Sequence, residues 1–167
     1  LDHHLYTGLA GTAGEAGHMI VQPGGRSCPC GNHGCLEQYI SEPAVLSRYR
    51  ELSGRTTVSI DDLVWAYNQK ETAALAVTDE FTTYLACGIN NLWNLFSPEC
   101  IILNSQLTAY LPQLLPEILQ KLSPRFRATC HLKLSTLQDT GVLLGAARVC
   151  ISKYLGTEKL YFSGLQP

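Results

Sequence analysis

The chain of 167 residues has no excess of positive charge: 12 lysines and arginines stand against 14 aspartates and glutamates, for a formal net charge of −2. DNA-binding modules usually present clustered cations and release counterions on binding, so this polypeptide gives no reason to expect that it holds DNA by itself. No uninterrupted apolar run approaches the roughly 20 residues needed to cross a bilayer. Leu1 does not open a signal peptide, and internal repeats, low-complexity tracts and obvious linkers are lacking. At 46% apolar and 16% charged residues the balance is globular, enough for one ordinary domain with a hydrophobic core.

Cysteine, by contrast, is abundant. Of the seven, Cys28, Cys30 and Cys35 cluster, while Cys87, Cys100, Cys130 and Cys150 are scattered singly through apolar stretches. An odd total in that layout argues against a disulfide framework and for a reducing compartment, so a cytoplasmic protein is expected. The scattered four read as small core residues.

Residues 1–41 are rich in glycine and poor in helical periodicity, which predicts turns and short extended pieces, with Met19-Ile20-Val21 as a strand. Ser41-Glu42-Pro43 and Gly54 mark the start and stop of a helix. Ser59 caps a second helix through Asn68, with Asp61 and Asp62 at its positive end. From Glu71 to Phe96 the residues Val77, Phe81, Leu85, Ile89, Leu92 and Phe96 recur at spacings of three and four, predicting a long helix that ends before Pro98. Then come a strand over Cys100–Leu103, a helix over Tyr110–Leu122, a strand over His131–Leu137 and a closing helix over Val142–Tyr154. That order predicts parallel strands with helices packed on the sheet, in one α/β domain.

His18, Cys28, Cys30 and Cys35 form the pattern H-x9-C-x-C-x4-C. One imidazole and three thiolates are the complement of a closed tetrahedral zinc site, and soft thiolates favour zinc over magnesium or calcium. Gly31 and Gly34 allow the sharp turns that return Cys35 to Cys30, and Pro29 stiffens the strand between the first two ligands. His33 is an alternative nitrogen ligand. A redox role for the cysteines is disfavoured because Cys-x-Cys is not the usual dithiol spacing.

Taken with their neighbours, these residues resemble the repressor–ORF–kinase (ROK) family. Gly8, Gly14, Glu15, Gly17 and His18 look like the second half of its signature, and residues 28–37 look like its zinc knuckle. Residues 139–147, Asp-Thr-Gly-Val-Leu-Leu-Gly-Ala-Ala, are similar to a stretch found late in members. The resemblance implies an α/β, actin-like and ribonuclease-H-like C-terminal domain with a zinc-binding insertion and several helices. Residues 1–41 would be its sugar-contact and zinc-knuckle segment, and 42–167 the helical and α/β remainder.

It also implies roles. Glu15, His18 and Glu37 fall where the family contacts sugar hydroxyls. Paired carboxylates accept hydrogen bonds from adjacent hydroxyls, and an imidazole can give one nitrogen to zinc and the other to the ligand. The alternatives are a turn carboxylate in solvent for Glu15 and a carboxylate at a helix N-terminus for Glu37.

Family kinases carry a phosphate-binding loop and an Asn-Asp pair that precede the region matched here, and this chain is expected to be a fragment inactive alone. Asp2, Asp61, Asp62 and Asp79 lie in the wrong contexts to serve as the base. Where kinases present a glycine run after the strand ending at Leu103, this sequence has Asn104-Ser105-Gln106, whose side chains would crowd a close backbone–phosphate contact. Gly141 and Gly145 fit either a relic of a nucleotide site or tight helix packing.

The expected function is therefore the sugar-sensing and oligomerisation domain of a repressor of the xylose or N-acetylglucosamine type. A sugar or sugar phosphate would be its effector, a homodimer or dimer of dimers its assembly, and DNA a partner only through a domain N-terminal to this chain. The alternatives are the C-terminal half of an ATP-dependent sugar kinase and a purely structural zinc module.

Overall fold

Two serines start the first long helices as expected. Ser41 accepts a hydrogen bond from the Ala44 N–H (3.4 Å), with Pro43 in the first turn, and helix α2 (Glu42–Ser53) stops at Gly54 in the left-handed conformation. Ser59 and Asp62 form a reciprocal capping box on α3 (Ile60–Asn68). The computed structural model describes residues 5–129, 131–137 and 140–156. Before these helices stands one helical turn, α1 (Glu37–Ile40).

The central element is α4 (Thr72–Phe96), which buries Ala74, Val77, Phe81, Leu85, Ile89 and Trp93 and packs against α1, α2, α3 and α6. The apolar stripe departs from the expected one at its end. Trp93 is buried, Leu92 is half-buried and Phe96 is exposed, because the helix ends at Ser97 in a left-handed conformation and the last turn leaves the core.

Beyond α4, β1 (Cys100–Leu103) pairs in parallel with β2 (His131–Leu134), with Cys100 opposite His131 and Leu103 opposite Leu134. Ile101, Leu103 and Leu132 face the core. The second strand is shorter than expected. Where one helix over Tyr110–Leu122 was expected there are two, α5 (Gln106–Tyr110) and α6 (Leu114–Lys121). Pro112 lies in the break: it has no N–H to donate to the carbonyl four residues earlier, so one helix does not run through it. A further short helix, α7 (Pro124–Thr129), buries Phe126 against Trp93 edge to face at 5.9 Å.

The described residues within 1–14 and 135–167 form one compact unit, and Glu15–Leu134 the other. The first unit holds a short 3-10 turn (Leu9–Gly11) and α8 (Thr140–Leu155). Within its own unit α8 buries no residue, and Val142 and Leu143 are largely exposed. Within the Glu15–Leu134 unit Cys87 and Cys100 are half-buried, so these two are not the closed core residues expected. Asp2, Cys130 and Asp139 lie outside the described residues. Among those described, no helix is long and apolar enough to cross a membrane.

Candidate metal centre

The Glu15–Leu134 unit begins with a 3-10 turn, Ala16–His18, that places His18 beside a doubled-back loop. Ile20 bridges Cys35 and Ser27 bridges His33, both antiparallel, so residues 19–21 form an isolated bridge and not the expected strand. The loop carries its own backbone hydrogen bonds: Val21 N–H to Gly34 O at 2.9 Å, Gly34 N–H to Arg26 O at 2.7 Å and Leu36 N–H to Met19 O at 2.8 Å. Pro29 and Cys30 sit in a turn and not a strand, closed by Gly31 N–H to Cys28 O at 3.0 Å. Gly31 and Gly34 have φ of +93° and +84°, and a Cβ on Gly34 would lie 1.7 Å from the Gln22 carbonyl oxygen. That approach requires glycine.

Within this frame His18, Cys28, Cys30 and Cys35 converge, each offering a ligand atom within 4.8 Å of the others, and the cluster could hold a metal ion. Cys30 Sγ is 3.6 Å from Cys35 Sγ, and Cys28 Sγ is 3.6 Å from His18 Nδ1. His33, the alternative nitrogen, is outside the cluster and stands in the bridge to Ser27. Cys28 and Cys35 are buried, His18 is half-buried and Cys30 is exposed.

Both carboxylates adjoin the histidine. Glu37 Oε1 is 3.6 Å from His18 Nδ1 and accepts a hydrogen bond from the Cys28 thiol at 3.0 Å. Glu15 Oε2 is 3.6 Å from His18 Nε2 and is mostly exposed. The electrostatics fit ligands awaiting deprotonation. Burial, then the bond to Glu37, pushes the Cys28 thiol up to about 12, and burial also raises Cys35. Cys30 is lowered, first by the Asn32 backbone N–H. Glu37 is held below its ordinary value, first by Cys28.

Glu37 also lines a cavity of about 340 Å³, with Gly17, Ile40, Phe81, Leu85 and Asn104 among its other walls. Asn104 and Ser105 lie between β1 and α5 and reach its wall. Two of the aspartates set aside as bases have structural partners: Asp62 caps α3, and Asp79 receives Lys121 Nζ at 2.6 Å.

Sequence reasoning missed the residues that hold this loop in place. A Cβ on Gly88 would lie 2.5 Å from Leu36 Cδ2, so the glycine lets the Leu36 side chain, between Cys35 and Glu37, lie directly against α4. Arg26, Tyr39, Glu80 and Tyr84 were likewise not singled out. An arginine inside a metal-ligand loop was the one available signal.

A family model described as the ROK family matches residues 1–153. The xylose repressor of Bacillus spizizenii is 31% identical over 164 residues, which cover 96% of this chain and 42% of that protein. The chain thus spans about two fifths of the length of the xylose repressors it matches. Among solved structures, a ROK family transcriptional regulator, homologous to the Escherichia coli MLC protein, superposes with a TM-score of 0.70 at 28% identity, covering 92% of this chain and 42% of that one. A Streptomyces griseus ROK glucokinase, solved with glucose and AMPPNP, gives a TM-score of 0.76 at 22% identity over 87% of this chain and 54% of its own, a likeness of fold.

Proposed function

The chain belongs to the ROK family, and from that premise we propose that it is the sugar-sensing and oligomerising part of a transcriptional repressor, with zinc as the resident metal. The observation that carries the sugar reading is the placement of His18. One ring nitrogen faces Cys28 and Glu37, and the other faces Glu15. An imidazole so placed can give one nitrogen to a metal while the other side of the ring meets a ligand.

The donor set fits zinc. A tetrahedron on Zn–S bonds of about 2.3 Å and Zn–N bonds of about 2.0 Å has S–S edges near 3.8 Å and S–N edges near 3.5 Å. The Cys30–Cys35 and Cys28–His18 separations, each 3.6 Å, are close to those edges. Bound zinc would supply a fixed tether, not a reacting centre, since all four positions are taken by protein. His18, Cys28, Cys30 and Cys35 would hold it. Glu15, His18 and Glu37 would then bind a sugar or sugar phosphate by accepting and donating hydrogen bonds to adjacent hydroxyls, the kind of oriented polar contact that discriminates between sugars.

The repressor reading is supported by the similarity to xylose repressors, and by Asn104-Ser105-Gln106 where the family resemblance implies a glycine run in kinases. Effector binding in residues 1–41 would bias a homodimer or dimer of dimers between two arrangements of a DNA-binding domain outside this chain. The cysteine layout supports a cytoplasmic setting.

The test is titration of the whole protein, zinc-loaded, with D-xylose, D-glucose and N-acetyl-D-glucosamine. A charged hydrogen bond contributes about 1.5–3 kcal/mol, so Glu37→Ala and Glu15→Ala should each weaken the best sugar by about tenfold or more. Unchanged affinity in both variants would remove the assignment. Tight, magnesium-dependent ATP binding by the same protein would favour the kinase alternative instead.

A further inference from the structure

The turn that carries Glu37 has no capping side chain of its own: at its N-cap stands Leu36, which makes no side-chain hydrogen bond. Four residues long, it is far too short to be stable by itself. Yet it must keep Glu37 beside Cys28 and His18. Arg26 touches the turn that follows Glu37, the loop at Gly34 and α4.

Its guanidinium donates to the Gln38 carbonyl at 2.7 Å, lies 4.5 Å from the centre of the Tyr39 ring and pairs with Glu80 on α4. Its backbone N–H donates to the Tyr39 hydroxyl at 3.0 Å, and its carbonyl accepts from Gly34 N–H at 2.7 Å. Tyr39 in turn is stacked on Tyr84 of α4 at 4.0 Å, and Glu80 also accepts from Arg48 Nε at 3.2 Å. A Cβ on Gly25 would sit 2.1 Å from the Tyr39 hydroxyl, so the neighbouring residue is shaped for the same contact. One side chain thereby joins the loop that ends in Cys28, the turn that begins at Glu37 and the helix that supports both.

We infer that Arg26 is a positioning residue that fastens the metal-ligand loop and the Glu37 turn to α4 as one piece, and so sets both metal retention and sugar affinity. The sugar part of this inference rests on the proposed sugar contacts; the metal part does not. A planar fork suits the position. Lysine could keep a charge opposite Glu80, but as a point charge it would not also reach the Gln38 carbonyl while lying on the Tyr39 face.

The experiment uses the whole protein, zinc-loaded, as wild type, Arg26→Gln, Arg26→Lys and Lys121→Met. Lys121 links α4 to α6 through Asp79, Thr82 and Thr83, away from the loop, so its variant supplies a loss of stability without a loss of positioning. Two quantities are read: the rate of zinc release to a chelator, and the affinity for the sugar that binds the wild type best among D-xylose, D-glucose and N-acetyl-D-glucosamine. Supporting residues around metal ligands typically change affinity by about 10–100-fold. Arg26→Gln should therefore release zinc about tenfold faster or more and bind the sugar correspondingly less well. Arg26→Lys should recover only part of each, and Lys121→Met should match wild type in both. Wild-type zinc release by Arg26→Gln overturns the inference, as does an equal acceleration in Lys121→Met. If the wild type binds none of the sugars while the zinc results hold, the sugar contacts fail and the positioning of the metal loop stands.

Discussion

Cys28 and Glu37 share a hydrogen bond that a bound metal would not permit in the same form. The Cys28 thiol donates to Glu37 Oε1 at 3.0 Å. A metal ligand must be a thiolate, so loading has to expel that proton. The sign follows from the shifts. Burial pushes the Cys28 thiol up to about 12 and also raises Cys35, so each thiol keeps its proton at neutral pH unless a metal displaces it. Metal binding should release protons, and apparent zinc affinity should climb from mildly acidic to mildly alkaline buffer. Competition against a chelator across that range measures the slope, and calorimetry in buffers of different ionisation enthalpy counts the protons. A pH-independent affinity with no proton release would mean that these thiols are not the ligands. At this scale the sequence was legible because the donors are chemically distinctive and lie within eighteen positions, from His18 to Cys35. It was less informative about Gly34, whose requirement comes from a carbonyl twelve residues earlier, at Gln22.

Helices with their own start signals were the easiest elements to read. The Ser59–Asp62 capping box is local, with Ser59 N–H to Asp62 Oδ2 at 2.8 Å and Asp62 N–H to Ser59 Oγ at 3.2 Å. Replacing Ser59 by alanine should lower stability by about 1 kcal/mol, measured by urea unfolding of the whole protein, with metal content unchanged because α3 supplies no ligand. A loss of metal in that variant would contradict the separation of helix capping from the site. The elements that sequence reasoning missed or merged are the short ones: α1, α5 and α7 have four to six residues each and form only because tertiary contacts hold them. Phe126 and Leu107, both buried, are such contacts. The stripe on α4 was legible as far as Ile89, since helical spacing is a local property. Its last turn was not, because the left-handed Ser97 decides where the chain leaves the core.

At the scale of the molecule, parallel pairing of two strands separated by a helical segment followed from element order, and β1 with β2 is that pair. What could not be read was the fastening of the metal loop. Arg26 and Glu80 are 54 positions apart, and Gln22 and Tyr84 are 62 apart. No periodicity or motif links residues at such distances. Those contacts join the candidate metal cluster, the two proposed sugar carboxylates and the central helix, so on the proposed function sugar recognition depends on the metal. The most direct measurement is sugar titration of the whole protein with zinc bound and again after zinc has been stripped, with circular dichroism to confirm that the helices persist. Binding that weakens by about tenfold or more on stripping, in line with the cost of losing support around a ligand-holding site, and that returns when zinc is restored is the predicted result. Equal affinity with and without zinc would contradict it.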